Sequence, residues 1–209
     1  MCSIMGSFSS ETVKDLLELN KHRGSFSWSI TCNNNTEKDF GEFDTTVLEN
    51  TNKGYKMCHI QAPTNGLVYD KDRIHPTLVQ DSKLWHNGLL RPAGIRYLNN
   101  KLGTDESFDT LLLHKAVVEY GFGILSEIEG LFSCVLYLNG NYYIFRTKHG
   151  KLFVDDNLSI SSERFDDSKC INYDTIYKID FENNTLEPVD TFRTKRFNIV
   201  VKGELWYMK

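Results

Sequence analysis

The spacing of apolar residues changes along the chain, and each change marks a different element. Between Ser10 and Asn20, Val13, Leu16 and Leu17 recur at helical spacing and predict an amphipathic helix. On either side the period drops to two. Ser3 to Phe8 reads as a short strand, and Phe26-Ser27-Trp28-Ser29-Ile30 alternates large apolar with small polar residues. Thr31 to Asn35 reads as a polar turn, and the stretch to Asn52 as mixed short strand and loop. Tyr55 to Gln61 is a buried-strand candidate that runs into the turn signal Pro63-Thr64-Asn65-Gly66. Residues 67–83 are polar and loop-like, and Leu84-Trp85 leads to a further turn at His86-Asn87-Gly88. Pro92 opens a second helix with Ile95, Leu98 and Leu102 on one face and Gly103 at its end. Ser107 is the expected cap of a third helix that reaches Tyr120 and stops at Gly121.

From Leu131 onward strand patterns take over. Asn139-Gly140 sits between Leu131–Leu138 and Asn141–Thr147, a strong hairpin signal. Leu152–Val154 and Leu158–Ser161 flank Asp155-Asp156-Asn157, and Thr175–Phe181 turns at Asn183-Asn184. Phe197–Val201 and Glu204–Met208 flank Lys202-Gly203. Strands at both ends with helices between predict one α+β domain over residues 1–209, mostly antiparallel.

Composition narrows the function classes. Of 209 residues 40% are hydrophobic and 25% charged, which is globular composition. The formal net charge of -4 gives no electrostatic footprint for nucleic acid. No apolar run reaches the ~18 residues of a membrane span, and Glu11, Lys14, Asp15 and Glu18 interrupt any signal-peptide core. The five cysteines (Cys2, Cys32, Cys58, Cys134, Cys170) are odd in number and never spaced C-x-x-C. Neither a disulfide framework nor a zinc site is expected, and a reducing cytoplasm is the expected setting.

Cys2 carries chemistry by its position. Removal of Met1, general when the next residue is small, would make Cys2 the N-terminus and put a thiol nucleophile beside a free α-amine. With an ordinary pKa of about 7.7–8.0, that amine can act as base without a histidine. Cys58-His59 offers no alternative pair, because neighbours on a strand point to opposite faces.

Further motifs follow in order: Cys2-Ser3-Ile4-Met5-Gly6, Arg23-Gly24, His59-Ile60-Gln61-Ala62-Pro63-Thr64-Asn65-Gly66 and His86-Asn87-Gly88. Then come Asp109-Thr110, Gly130-Leu131-Phe132-Ser133-Cys134-Val135-Leu136-Tyr137, Phe145-Arg146 and Ser161-Ser162-Glu163. Together they resemble the glutaminase domain of the class II glutamine amidotransferases, an N-terminal-nucleophile hydrolase family that includes asparagine synthetase and glucosamine-6-phosphate synthase. The resemblance runs from Cys2 to about Glu163. It implies a four-layer αββα sandwich of two antiparallel sheets.

It also implies roles. Cys2 would be the nucleophile, and Asn87 with the Gly88 backbone N–H the oxyanion hole. Asp109 would hold a substrate ammonium, Arg23 would lie near the cysteine, and Thr64 would line the substrate pocket. Several positions depart from the pattern. Gln61 replaces the arginine that clamps the glutamine carboxylate, and a neutral amide cannot form that charge-assisted pair. Phe26 replaces an aspartate, Leu111 a glutamate, Thr147 an aspartate and Ser3 a glycine, and Asn65 sits where some members carry histidine. The expected reaction is hydrolysis of a side-chain amide of glutamine or a related small molecule, with release of ammonia through a Cys2 thioester. Hydrolysis of another γ-glutamyl-type amide, and a non-catalytic binding module on the same fold, remain alternatives. No metal or organic cofactor is implied. An ammonia-consuming enzyme would be a separate chain, unless ammonia is simply released.

Overall fold

The computed structural model describes residues 2–33, 35–49, 53–62 and 69–194. In chain order the elements begin with β1 (Ser3–Ser7), α1 (Ser10–Asn20), β2 (Ser27–Cys32), β3 (Asn35–Phe40), β4 (Lys56–Gln61), β5 (Thr77–Val79) and β6 (Ser82–Leu90). The helices α2 (Pro92–Leu102) and α3 (Asp109–Tyr120) follow. The chain then continues through β7 (Gly130–Leu138), β8 (Asn141–Arg146), β9 (Phe153–Val154), β10 (Ile160–Ser161), β11 (Lys169–Cys170), β12 (Thr175–Asp180) and β13 (Thr185–Thr191). The strands form two antiparallel sheets, ordered β11-β9-β10-β1-β4-β2-β3 and β13-β12-β8-β7-β6-β5.

Strand alternation feeds three apolar layers. Met5, Trp28, Ile30, Cys58 and Ile60 of the first sheet pack on Val13, Leu16 and Leu17 of α1. Their neighbours Ile4 and Met57 point the other way, onto Trp85, Val135 and Ile144 of the second sheet. The far side of that sheet, through Leu84, Phe132, Leu136 and Phe145, covers Leu98, Leu112, Leu113, Ala116 and Val117 of α2 and α3. Three cores between four layers make the expected αββα sandwich. No helix among the described residues is long and apolar enough to cross a membrane.

Local chemistry explains most element ends. Ser9 caps α1 by accepting from the Thr12 N–H at 3.1 Å. Pro92 opens α2, and Gly103 closes it in the left-handed conformation. Asn139 and Gly140, with φ of 51° and 79°, make the β7–β8 turn as expected. Ser107 does not cap α3. Phe108 occupies the cap position without a side-chain bond, and the Ser107 hydroxyl instead accepts from Arg73 Nη2 at 3.0 Å.

Three further expectations need correction. His86-Asn87-Gly88 is not a turn but lies within β6, held extended by unbroken pairing with β7 from Lys83↔Tyr137 to Leu90↔Gly130. The loop expected over 67–83 contains β5 and the start of β6. The polar turn expected over Thr31–Asn35 is shorter, because β2 runs to Cys32 and the edge strand β3, the short strand expected in the next stretch, begins at Asn35. The expected strands at 197–201 and 204–208 lie outside the described residues.

A cluster of four buried histidines sits beside α3. The His59 ring on β4 stacks on His75 with centroids 4.1 Å apart, and its Nε2–H donates to the His86 carbonyl at 3.1 Å. The Thr110 hydroxyl on α3 bonds His86 Nδ1 at 2.7 Å and His75 Nε2 at 3.0 Å. Deeper along α3, His114 bonds Thr77 and Ser82. His59 Nδ1, His75 Nδ1 and His86 Nε2 have no hydrogen-bond partner, so a proton added there would be buried and unsolvated. Burial accordingly lowers all four pKa values, to about 3 for His59 and about 4 for His114. Neighbouring charges modulate this: His59, His86 and Lys38 lower His75 further, while Asp109 partly supports a charge on His86.

The folded chain keeps these rings neutral, whereas the unfolded chain protonates them below their ordinary 6.5. This contribution to stability is therefore complete above that pH and is lost as pH falls, by up to about 1.4 kcal/mol per pH unit for each histidine while the pH lies between its ordinary and its folded pKa. Denaturant midpoints measured between pH 7 and 5, above most carboxylate titration, should show this slope. His75→Phe should reduce it by one histidine's share. A flat profile in the parent would contradict the buried neutral cluster.

Candidate active site

The site is assembled where β1, β4 and β6 meet. Ser3↔Ile60 is the outermost β1–β4 pair, and one further step of that register sets Cys2 across from Gln61 on the face turned toward the second sheet. The Cys2 thiol donates to the Ala62 carbonyl at 3.7 Å. Burial holds the thiol above its ordinary range, and the nearby Asp109 carboxylate adds to the effect. A resting thiol of this kind needs a base to become a nucleophile.

Arg23 follows α1 in a short helical turn, Lys21–Arg23, and is buried. Its Nε–H donates to the Cys2 carbonyl at 3.0 Å, and its Nη1 pairs with Glu163. Gly24 then passes directly against the Gln61 backbone, where a Cβ would lie 2.5 Å from the Gln61 carbonyl carbon. Any larger residue would push the Arg23 segment off the end of β4.

Asn87 points into the space between the sheets and donates through Nδ2 to Ser162 Oγ at 3.2 Å. The same Ser162 oxygen accepts from the Ile4 N–H at 3.0 Å, and the Ser162 N–H donates to the Ile4 carbonyl at 3.0 Å. One wholly buried hydroxyl thus ties the cysteine's strand to the asparagine's strand. An amide has two N–H bonds, so Asn87 keeps a second donor beyond the one spent on Ser162. Gly88 follows with φ of +148°, and a Cβ there would come within 2.0 Å of the Leu131 carbonyl oxygen. Only glycine fits.

Asp109 opens α3 and is half-buried, with Oδ2 accepting from the Leu90 N–H at 3.0 Å. That bond anchors the carboxylate just beyond Gly88 and leaves Oδ1 outside it. Gln61 is buried at the end of β4, and its Oε1 accepts from the Ser27 hydroxyl at 3.0 Å. Thr64 lies outside the described residues. Cys2, Arg23, Gln61, Asn87, Gly88 and Asp109 are thus gathered at one end of the sandwich.

Two departures have physical explanations. The Ser3 hydroxyl donates to Asn20 Oδ1 at 2.5 Å, and Asn20 also bonds Leu16 and Ser161, so α1 receives the extra side chain. Phe26 joins Phe40 and Tyr69 in a triangle of rings with centroids 5.2–5.5 Å apart. Cys58, Cys134 and Cys32 are buried in the sheets, as expected, but Cys170 is exposed on β11. Sequence reasoning gave no role to Ser162 or to Glu163. The Ser161-Ser162-Glu163 motif was the available signal, but only the fold reveals that it adjoins β1 and Arg23.

No protein-family model and no curated protein sequence matches the chain. Solved structures do match. Glutamine phosphoribosylpyrophosphate amidotransferase from B. subtilis, complexed with ADP and GMP, superposes with a TM-score of 0.68 at 15% identity, over 87% of this chain and 48% of that one. A structure described as the allosteric regulatory enzyme of purine biosynthesis gives a TM-score of 0.69 at 15% identity, over 93% and 50%. This chain therefore spans about half the length of these proteins and shares with that part the fold described above, a four-layer αββα sandwich.

Proposed function

We propose that the protein is an amidohydrolase of the class II glutamine amidotransferase type, with Cys2 as nucleophile. The observation that carries this reading is the Ser162 bridge, which holds the Asn87 amide against the strand that begins beside the Cys2 thiol. Once Met1 is removed, the Cys2 α-amine takes the thiol proton and Sγ attacks the carboxamide carbon. The free Asn87 N–H and the Gly88 N–H receive the developing oxyanion. The amine returns its proton to nitrogen, the C–N bond breaks, and ammonia leaves. Water then hydrolyses the thioester to the carboxylic acid and restores the thiol.

The Arg23 bond to the Cys2 carbonyl supports the geometry this needs, because it fixes the residue whose thiol and amine must both act. Asp109 is suited to a substrate ammonium, and Thr64 is assigned to the pocket by resemblance alone. Ammonia passes to an acceptor or is released. The reaction is assigned to the cytoplasm, supported by five cysteines none of which forms a disulfide.

A glutamine-mimicking diazo-ketone should add one equivalent of mass at Cys2 in protein lacking Met1. Protein that retains Met1 should fold yet remain unmodified and inactive; full amide turnover by that form would remove the α-amine from the mechanism. Asn87→Ala should slow thioester formation by roughly 10²–10³ through loss of one oxyanion donor. If that variant instead unfolds where the parent is stable, Asn87 serves the β6–Ser162 junction and not the oxyanion.

A further inference from the structure

We propose that the substrate is the N-terminal glutamine of a peptide, rather than free glutamine. This rests on the Cys2 reading above. The ammonium site and the oxyanion site are both present, but the position that would meet a carboxylate is neutral. Gln61 stands across the sheet from Cys2, and its Oε1 is occupied by the Ser27 hydroxyl. That bond fixes which way the amide faces and leaves Nε2 as the donor edge. An uncharged amide donor edge matches a neutral carbonyl and leaves a carboxylate's charge uncompensated after desolvation.

Arg23, Arg73 and Arg146 are committed elsewhere. Arg23 is held by the Cys2 carbonyl and Glu163. Arg73 donates to Ser107 and lies over the Phe108 ring at 5.7 Å. Arg146 donates to the carbonyls of Ile171, Thr147, Lys148 and Gly150. The anions Asp109 and Glu163 add further repulsion toward a carboxylate.

An N-terminal glutamine residue satisfies each of these conditions. Its side-chain amide reaches Cys2, its α-ammonium suits Asp109, and its α-carbonyl is a peptide amide able to accept from Gln61 Nε2. The Phe26 N–H donates to the Gln61 carbonyl at 3.0 Å, so the Phe26–Phe40–Tyr69 rings lie beside this position. They offer an apolar surface, with Tyr69 72% exposed, for the side chain of the next residue. The reaction converts the peptide's glutamine to glutamate: the C–N bond is exchanged for C–O, one water is consumed, and one ammonia leaves.

The test compares kcat/KM for ammonia release from a glutaminyl-phenylalanyl peptide, its N-acetylated form and free glutamine, using protein that begins at Cys2. Product mass separates hydrolysis from spontaneous ring closure, which also sheds ammonia. The free-amine peptide should exceed free glutamine at least tenfold, and acetylation should abolish the gain. Gln61→Arg should shift the preference toward free glutamine. Free glutamine turned over as well as the peptide, or better, would overturn the inference and leave the Cys2 mechanism standing. Hydrolysis of none of the three, with Cys2 unmodified by the diazo-ketone, would overturn both.

Discussion

Strand β1 is bonded along both edges, to β4 on one side and β10 on the other, and both of its faces are buried. Ile4 faces the second sheet and Met5 faces α1, so the strand can neither shift by a residue nor tilt without disrupting two cores. The position of Cys2 is a consequence of that constraint. Its lateral neighbour follows from the β4 register, its carbonyl is met by Arg23, and the residue two places on meets Ser162. The placement of Cys2 is precise because the strand behind it has no freedom, not because many groups touch the thiol.

The site divides into rigid and exchangeable parts. Asn87 and Gly88 lie within a nine-residue strand paired through its length with β7, and Asp109 is fixed by the Leu90 N–H. In the proposed mechanism these parts would present donors to an oxyanion and an anion to a cation, and they sit on secondary structure. Gln61 and Phe26 stand at strand ends, where a change of side chain leaves the ladder intact. A fold of this kind can retain its bond-breaking geometry while the chemistry of its substrate-recognition edge changes.

Much of this was legible in the chain itself. The α1 stripe, the Asn139-Gly140 hairpin and the Gly103 and Gly121 helix stops all depend on near neighbours, and local pattern captures them. His86-Asn87-Gly88 misled because Asn-Gly signals a turn only where the flanking strands are free to fold back, and β7 prevents that here. Ser107 misled because Arg73, distant in sequence, takes its hydroxyl. The bounds of β3 could not be read because an edge strand facing solvent needs no apolar run. The ordered motifs pointed to Cys2, Arg23, Asn87, Gly88 and Asp109. Ser162 gained its meaning only when β10 was seen to pair with β1.

That pairing has a consequence for when the protein becomes whole. Met5 is bonded to Ser161, so the first strand of the chain finds one of its two partners near the far end of the described fold. Contacts so distant in sequence close late, because the loop between them must first be ordered. During synthesis β1 can dock on β4 early, yet Ser162 reaches Ile4 and Asn87, and Glu163 reaches Arg23, only after the intervening strands have emerged. A nascent chain would thus carry an exposed cysteine for most of its synthesis without its folded surroundings, which would form only once the segment through Glu163 has emerged.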